Sequence, residues 1–142
     1  MLVLSGAIAA GEGDLRTPSG ETFSLAELLQ RGPVVLVLWN SWLPGSEEFA
    51  KLVPEIEAAA KRQAWPGAVV VFQEESAEPT RKLPRDEAGL PLVFDRRGEL
   101  VRRFKVTRAP TVLLVERNGE VRARSGPDPA GVRDVLKEME RR

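Results

Sequence analysis

The most continuous apolar stretch of the chain runs from Pro33 to Trp39 and is rich in valine. No polar residue interrupts it, so it lacks the alternation of a strand with one wet face. Such a run is typical of a central strand that is covered on both faces. Ala68 to Gln73 has a similar character and predicts a second buried strand. The two runs together predict a sheet with helices packed on both sides.

From Ser46 onward the apolar period changes from two residues to 3.6, which predicts a helix. One face of this helix is marked by Phe49, Leu52, Val53, Ile56 and Ala60. Pro54 lies inside the pattern and predicts a kink, because proline removes a helical hydrogen bond. Near the end of the chain, Asp128 followed by Pro129 predicts the N-cap and first residue of another helix.

Shorter signals complete the outline. Ser24 and Glu27 fit a capping box, which predicts a short helix that ends near Gly32. Asn118-Gly119 predicts a hairpin with a type I′ turn, which needs positive φ at both residues. Residues 74–89 are predicted to form a polar loop, in which the acidic pair Glu74-Glu75 is solvated. The remaining predicted elements are a strand over 90–95, a helix over 99–105, and strands over 111–117 and 120–124.

The first ten residues, from Met1 to Ala10, are mainly apolar. Two interpretations stay open for residues 1–12: the remnant of a signal peptide, or an N-terminal arm or first strand. The stretch is too short to span a bilayer. No other segment is long and apolar enough, so the sequence predicts no membrane span.

A chain of 142 residues predicts a single domain over residues 1–142. Its 21 Lys and Arg residues balance its 21 Asp and Glu residues, so there is no general attraction to nucleic acid. It contains no histidine and no cysteine. Without these ligands, structural zinc and iron–sulfur sites are excluded, and we predict no metal site and no cofactor.

Four segments resemble the thioredoxin superfamily. The closest likeness is to the thiol-disulfide reductases and cytochrome-maturation factors of TlpA/ResA type, together with the AhpC/TSA group. The segments are Gly20 to Leu28, Val34 to Trp42, the helix that contains Pro54, and Val106 to Thr111 with the hairpin that follows. The resemblance implies a thioredoxin-like three-layer α/β fold with a mixed central sheet and an N-terminal β-hairpin extension. It also favours a location outside the cytoplasm, such as the periplasm, and leaves the cytoplasm open.

In that superfamily a Trp-Cys-x-x-Cys segment lies between the strand and the helix. Here Leu43 and Ser46 stand at the two cysteine positions. Disulfide exchange requires thiolate attack on a disulfide, so neither residue supports it. The resemblance further implies a cis peptide bond before Pro110, opposite the helix start, and a backbone at Ala109 that pairs with extended peptides. We therefore predict no catalytic residue and a chain that is redox-inactive.

The retained frame predicts a binding groove formed by Trp42, Leu43, Pro44, Ala109 and Pro110, with a protein or extended peptide as the partner. Ser46 is interpreted as an N-cap rather than a nucleophile, because no base accompanies it. Leu43 is either part of an apolar contact surface or a core residue. Trp42 is either an anchor for a partner or a shield for the core.

Two other functions stay open. The chain could act with a partner that carries the missing cysteine, or it could serve as a structural module that forms a homodimer. Engineered loss of the cysteines is a further interpretation, since serine is a common replacement for a redox cysteine. Leucine is not, which favours natural loss at position 43.

Overall fold

The computed structural model describes residues 15–74, 83 and 89–141. The proposed N-terminal arm and most of the predicted polar loop over 74–89 lie outside these residues. The strands are β1 (Leu15–Arg16), β2 (Val34–Trp39), β3 (Gly67–Phe72), β4 (Leu92–Asp95), β5 (Thr111–Val115) and β6 (Val121–Ser125). The helices are α1 (Leu25–Arg31), α2 (Ser46–Ala50), α3 (Val53–Gln63), α4 (Glu99–Arg103) and α5 (Pro129–Met139).

The strands form one sheet in the order β1-β4-β3-β2-β5-β6. β2, β3 and β4 run parallel to one another, whereas β5 is antiparallel to both β2 and β6. At the centre, Val37 pairs with Val69 on one side and with Val112 on the other. The predicted mixed sheet of an α/β fold is therefore confirmed.

All six residues of β2 are buried, and they alternate between two separate core clusters. Val35, Val37 and Trp39 contribute to the cluster that contains the buried side chains of α3 and α5. The other three residues contribute to the cluster that contains the buried leucines of α1 and α4. Helices thus cover both faces of the sheet, which gives the predicted three layers.

The N-terminal extension adds a strand to one edge of the sheet. β1 pairs antiparallel with β4 and runs into a turn in which Gly20 N donates to Thr17 O at 2.9 Å. The chain returns through a bridge between Arg16 and Thr22. This is the predicted β-hairpin extension.

The helix predicted from Ser46 is not continuous. It is divided at Lys51 and Leu52, where Lys51 N bonds Glu48 O at 3.2 Å and Leu52 N bonds Phe49 O at 2.8 Å, both in the tighter i→i−3 pattern. Pro54 lies in the first turn of α3, where its missing N–H removes no intrahelical bond. The predicted kink is therefore a break between two helices.

The hairpin between β5 and β6 is present, but its turn is not type I′. Gly119 N donates to Glu116 O at 2.8 Å, and Gly119 has φ 91°. Asn118 is not among the residues with positive φ. The three-residue loop is closed by Glu116 N, which bonds Glu120 O at 2.7 Å. A type I turn followed by a left-handed glycine suits such a loop, so only one residue needs positive φ.

Asp95 holds the first turn of α4 in place. Its side chain is fully buried, and its two carboxylate oxygens accept hydrogen bonds from Glu99 N and Leu100 N, each at 2.8 Å. We expect Asp95→Ala to lower the free energy of unfolding by about 2 kcal/mol or more, because two amides at the helix start lose a charged acceptor. Urea unfolding measures this change. Asp134→Ala, at an exposed position of α5, is the control, and equal small losses in both variants would contradict the assignment.

Candidate functional site

The loop over residues 40–45 joins β2 to α2 at the carboxyl end of the central strand. Trp39, the last residue of β2, donates from its indole Nε1 to the backbone oxygen of Ser46 at 2.9 Å. Both groups are buried. The bond joins the two ends of the loop, so the start of α2 is fixed relative to the sheet.

Two buried polar side chains bind the backbone of this loop. Asn40 Oδ1 accepts a hydrogen bond from Leu43 N at 3.2 Å. Glu74 Oε1 accepts from Ser41 N at 2.5 Å and from Ser41 Oγ at 2.6 Å. The loop amides therefore have partners although the loop begins inside the core.

Glu74 is a site residue that the sequence interpretation missed. It was predicted to lie in a solvated loop, and that prediction is wrong: its side chain is buried. The signal was its place after β3, because β2 and β3 are parallel and their carboxyl ends meet at one edge of the sheet. A polar residue just past β3 can therefore reach the loop that follows β2.

Ser46 is not the N-cap of α2, so that prediction is also wrong. The N-cap is Gly45, with φ 83°, and Ser46 is the first residue of the helix. Ser46 Oγ is buried and has no hydrogen-bond partner among the described residues. No general base of the described residues is within hydrogen-bond distance of this hydroxyl, so the described part of the chain lacks the arrangement of an activated nucleophile.

The side chains on the loop differ in exposure. Trp42 is 58% exposed, and it is the only large hydrophobic side chain that is exposed within the described part of the chain. Pro44 is also exposed. Leu43 is half-buried and packs against the core cluster on the α1 and α4 side of the sheet. It therefore contacts the core while part of its side chain stays accessible.

The segment before β5 contains the other two residues of the predicted groove. Ala109 is half-buried and packs against the same core cluster as Leu43. Pro110 is buried, and the peptide bond between Ala109 and Pro110 is cis.

The turn that follows β6 contacts both of these segments. A Cβ placed on Gly45 would lie 3.8 Å from Cβ of Pro127. A Cβ placed on Gly126 would overlap the backbone oxygen of Pro110, so only glycine fits there without a shift. Gly126 and Pro127 thus bridge the start of α2 and the segment that contains Pro110.

Two kinds of feature are absent from the described residues. Across residues 15–74, 83 and 89–141, no three Asp or Glu side chains are grouped as a metal site would require. No helix in the same ranges is long and apolar enough to cross a membrane.

The family of this chain is decided by a match over most of its length. The model of the AhpC/TSA family matches residues 9–124. The chain belongs to the AhpC/TSA family. This agrees with the resemblance inferred from the sequence, and the absence of cysteine agrees with the inferred loss of both redox positions.

Solved structures share the fold of this AhpC/TSA-family chain. A protein from Chlorobium tepidum described as a thiol:disulfide interchange protein DsbE superimposes with a TM-score of 0.69 at 23% identity, over 89% of this chain and 88% of that one. A secreted Mycobacterium tuberculosis disulfide oxidoreductase homologous to E. coli DsbE also gives 0.69, at 18% identity, over 92% of this chain and 96% of that one. At these identities the likeness shows the fold alone, and it confirms the thioredoxin-like fold.

A curated relative extends the comparison at the level of sequence. A thioredoxin-like protein from Haemophilus influenzae is 27% identical over 103 residues, which cover 72% of this chain. The match spans 60% of the length of that relative.

The unpartnered hydroxyl of Ser46 predicts an unusual mutational result. We expect Ser46→Ala to leave the free energy of unfolding within about 0.5 kcal/mol of the parent value or to raise it, because a buried hydroxyl without a partner is destabilising. Ser24 is the matched control, since its side chain caps α1 by accepting from Glu27 N at 3.2 Å. Ser24→Ala should lower the free energy of unfolding by about 1 kcal/mol in the same urea titration. A comparable loss for Ser46→Ala would show that its hydroxyl is bonded.

The turn between positions 43 and 46 also predicts that a disulfide can be built there. Ser46 N bonds Leu43 O at 3.1 Å, so the two residues bracket a turn whose end Cα atoms lie within about 7 Å of each other. That range includes the separations found in disulfides. We expect Leu43→Cys/Ser46→Cys to form an intramolecular disulfide under mild oxidation, as measured by thiol titration and intact mass. The single variant Leu43→Cys is the control, and two persistent free thiols in the double variant would contradict the geometry.

Proposed function

We propose that this chain is a redox-inactive thioredoxin-fold protein that binds an extended segment of another polypeptide. The proposed groove is formed by Trp42, Leu43, Pro44, Ala109 and Pro110. The observation that carries the proposal is the 58% exposure of Trp42 on a loop whose backbone is hydrogen-bonded to the buried side chains of Asn40 and Glu74.

Trp42 has the properties of a binding anchor. Large aromatic side chains are enriched among the residues that contribute most to protein interfaces. Keeping such a side chain in water is unfavourable, and the hydrogen bonds that the loop amides donate to Asn40 and Glu74 hold the loop without engaging the indole. A partner that covers Trp42 would gain apolar contact with little further ordering of the loop.

Ala109 supplies the second element of the proposal. It precedes β5 and lies outside its ladder, and its backbone N–H donates no hydrogen bond to any described residue. A free backbone donor at the start of a strand can pair with an extended peptide, as in β-augmentation. Leu43 and Ala109 border the same core cluster, which supports apolar contact beside that pairing.

The absence of cysteine supports the redox part of the proposal, because thiol exchange and peroxide reduction by the chain itself both need a thiolate. We further propose that residues 1–142 form one domain and that the protein acts outside the cytoplasm. The secreted Mycobacterium tuberculosis relative supports that location.

Two other uses of the same surface lead to different measurements. A chain that works with a cysteine-bearing partner would be silent in an insulin-reduction assay alone and active when that partner is added. A dimerisation module would bury Trp42 against a second copy, so light scattering would report twice the monomer mass.

Trp42 provides a direct test of peptide binding. Trp39 and Trp65 are buried, so a change in tryptophan emission on adding a peptide reports mainly on Trp42. We expect extended peptides with apolar side chains to shift the emission to shorter wavelength. Leu43→Asp should weaken the fitted affinity at least about tenfold, because it places a charge in the groove.

Leu28→Asp is the matched control. Leu28 is also a half-buried leucine that packs on the same core cluster, but it lies on α1 outside the proposed groove. It should leave the affinity unchanged among folded molecules, as judged by circular dichroism. Equal binding by both aspartate variants and the parent, or no binding by any of them, would refute the groove.

A further inference from the structure

A cavity of about 270 Å³ lies beside the segment that contains Pro110. Its walls are Val106 to Arg108 and Thr111 on one side, and residues 124–126 with Asp128 on the other. The first wall flanks Ala109 and Pro110 on both sides in sequence. The cavity therefore lies next to the segment proposed above to pair with a bound peptide.

Two arginines give this cavity a local positive charge. Arg108 and Arg124 both line it, and both are exposed. Arg124 Nη1 donates to Lys105 O at 3.4 Å, a long contact with a neutral acceptor. Within the described ranges, no carboxylate forms an ion pair with either guanidinium.

Four other described arginines have carboxylate partners, namely Arg102, Arg122, Arg133 and Arg141. Arg133 Nε lies 3.0 Å from Glu55 Oε2, and Arg122 Nε lies 3.5 Å from Glu116 Oε2. The net charge of the whole chain is zero, so Arg108 and Arg124 represent a local excess rather than a general one. This excess lies beside the proposed groove.

Asp128 is the one acidic residue on the wall, and it is already engaged. Its Oδ2 accepts a hydrogen bond from Gly131 N at 2.8 Å, which caps α5. The positive end of the α5 dipole lies at the same place and offsets part of the negative charge of Asp128. Two arginines therefore line the cavity, and the one carboxylate on its wall is already bonded to the start of α5.

We propose that this cavity binds the carboxylate side chain of an acidic residue in the bound polypeptide. Guanidinium groups pair with carboxylates through short, charge-assisted hydrogen bonds. The inference rests on the proposed function and narrows its partner class to extended segments in which Asp or Glu lies within a few residues of an apolar side chain. A cavity between two chain segments suits a carboxylate projecting from a strand better than it suits a flat anionic membrane.

The test uses two fluorescein-labelled peptides that differ only by Glu or Gln beside an apolar residue. In low salt, we expect the parent protein to bind the Glu peptide about three- to tenfold more tightly, as measured by anisotropy. Raising NaCl to roughly 0.5 M should remove most of this preference through screening. Arg108→Gln/Arg124→Gln should lose the preference while it keeps its affinity for the Gln peptide.

Arg122→Gln is the control, because Arg122 lies two residues from Arg124 on β6 but does not line the cavity. It should keep the full preference for Glu. If the parent binds both peptides with equal affinity and Leu43→Asp binds neither, the carboxylate site is overturned and the groove is supported. If Arg108→Gln/Arg124→Gln loses affinity equally for both peptides, the substitutions have a general structural effect, and the carboxylate site is again overturned.

Two further outcomes refute the inference in different ways. If neither peptide binds the parent protein, the proposed function fails and the carboxylate site fails with it. If the arginine substitutions abolish binding to phosphatidylglycerol vesicles but leave the peptide preference unchanged, the cavity serves a lipid surface instead.

Discussion

The burial of β2 on both faces is the constraint on which the rest of this structure depends. A strand with two dry faces must find backbone partners along both edges, which places β2 between β3 and β5. It also divides the core into two clusters and requires helices on both sides. The loop over residues 40–45 follows the carboxyl end of β2, and the side chains of Glu74, Asn40 and Trp39 form hydrogen bonds that fix it at the edge of the core. The candidate site therefore lies where the central strand ends.

Features that depend on neighbours in sequence could be predicted. The apolar run gave the bounds of β2, and the caps Ser24 and Asp128 were correct because each bonds an amide three residues ahead. The break before α3 was missed, because the period of apolar residues continues across it. That period does not depend on whether a backbone N–H bonds the carbonyl three or four residues earlier. The assignment of Ser46 failed for a similar reason: its place before the helix resembled a cap, but Gly45 adopts the left-handed conformation and takes that position.

Contacts between distant segments could not be read from the chain. Ser41 and Glu74 are 33 residues apart, and their bond exists because two parallel strands end at the same edge. The family resemblance located Leu43, Ser46 and Pro110 by position, but it carried no information on charges that this chain adds around them. Arg108 and Arg124 line one cavity only because the β5–β6 hairpin brings their segments together. Neither arginine is distinguished from the others in the sequence by its neighbours.

The outer edge of β6 has a consequence beyond binding. β6 is the last strand of the described sheet, and Arg122 and Arg124 are exposed along it. Charged side chains on an open edge discourage other chains from extending the sheet. A protein that is proposed to bind extended polypeptides meets many segments that could pair with its open edge strand as an additional β-strand. Arg122 and Arg124 thus oppose the pairing of a further strand with this edge of the sheet.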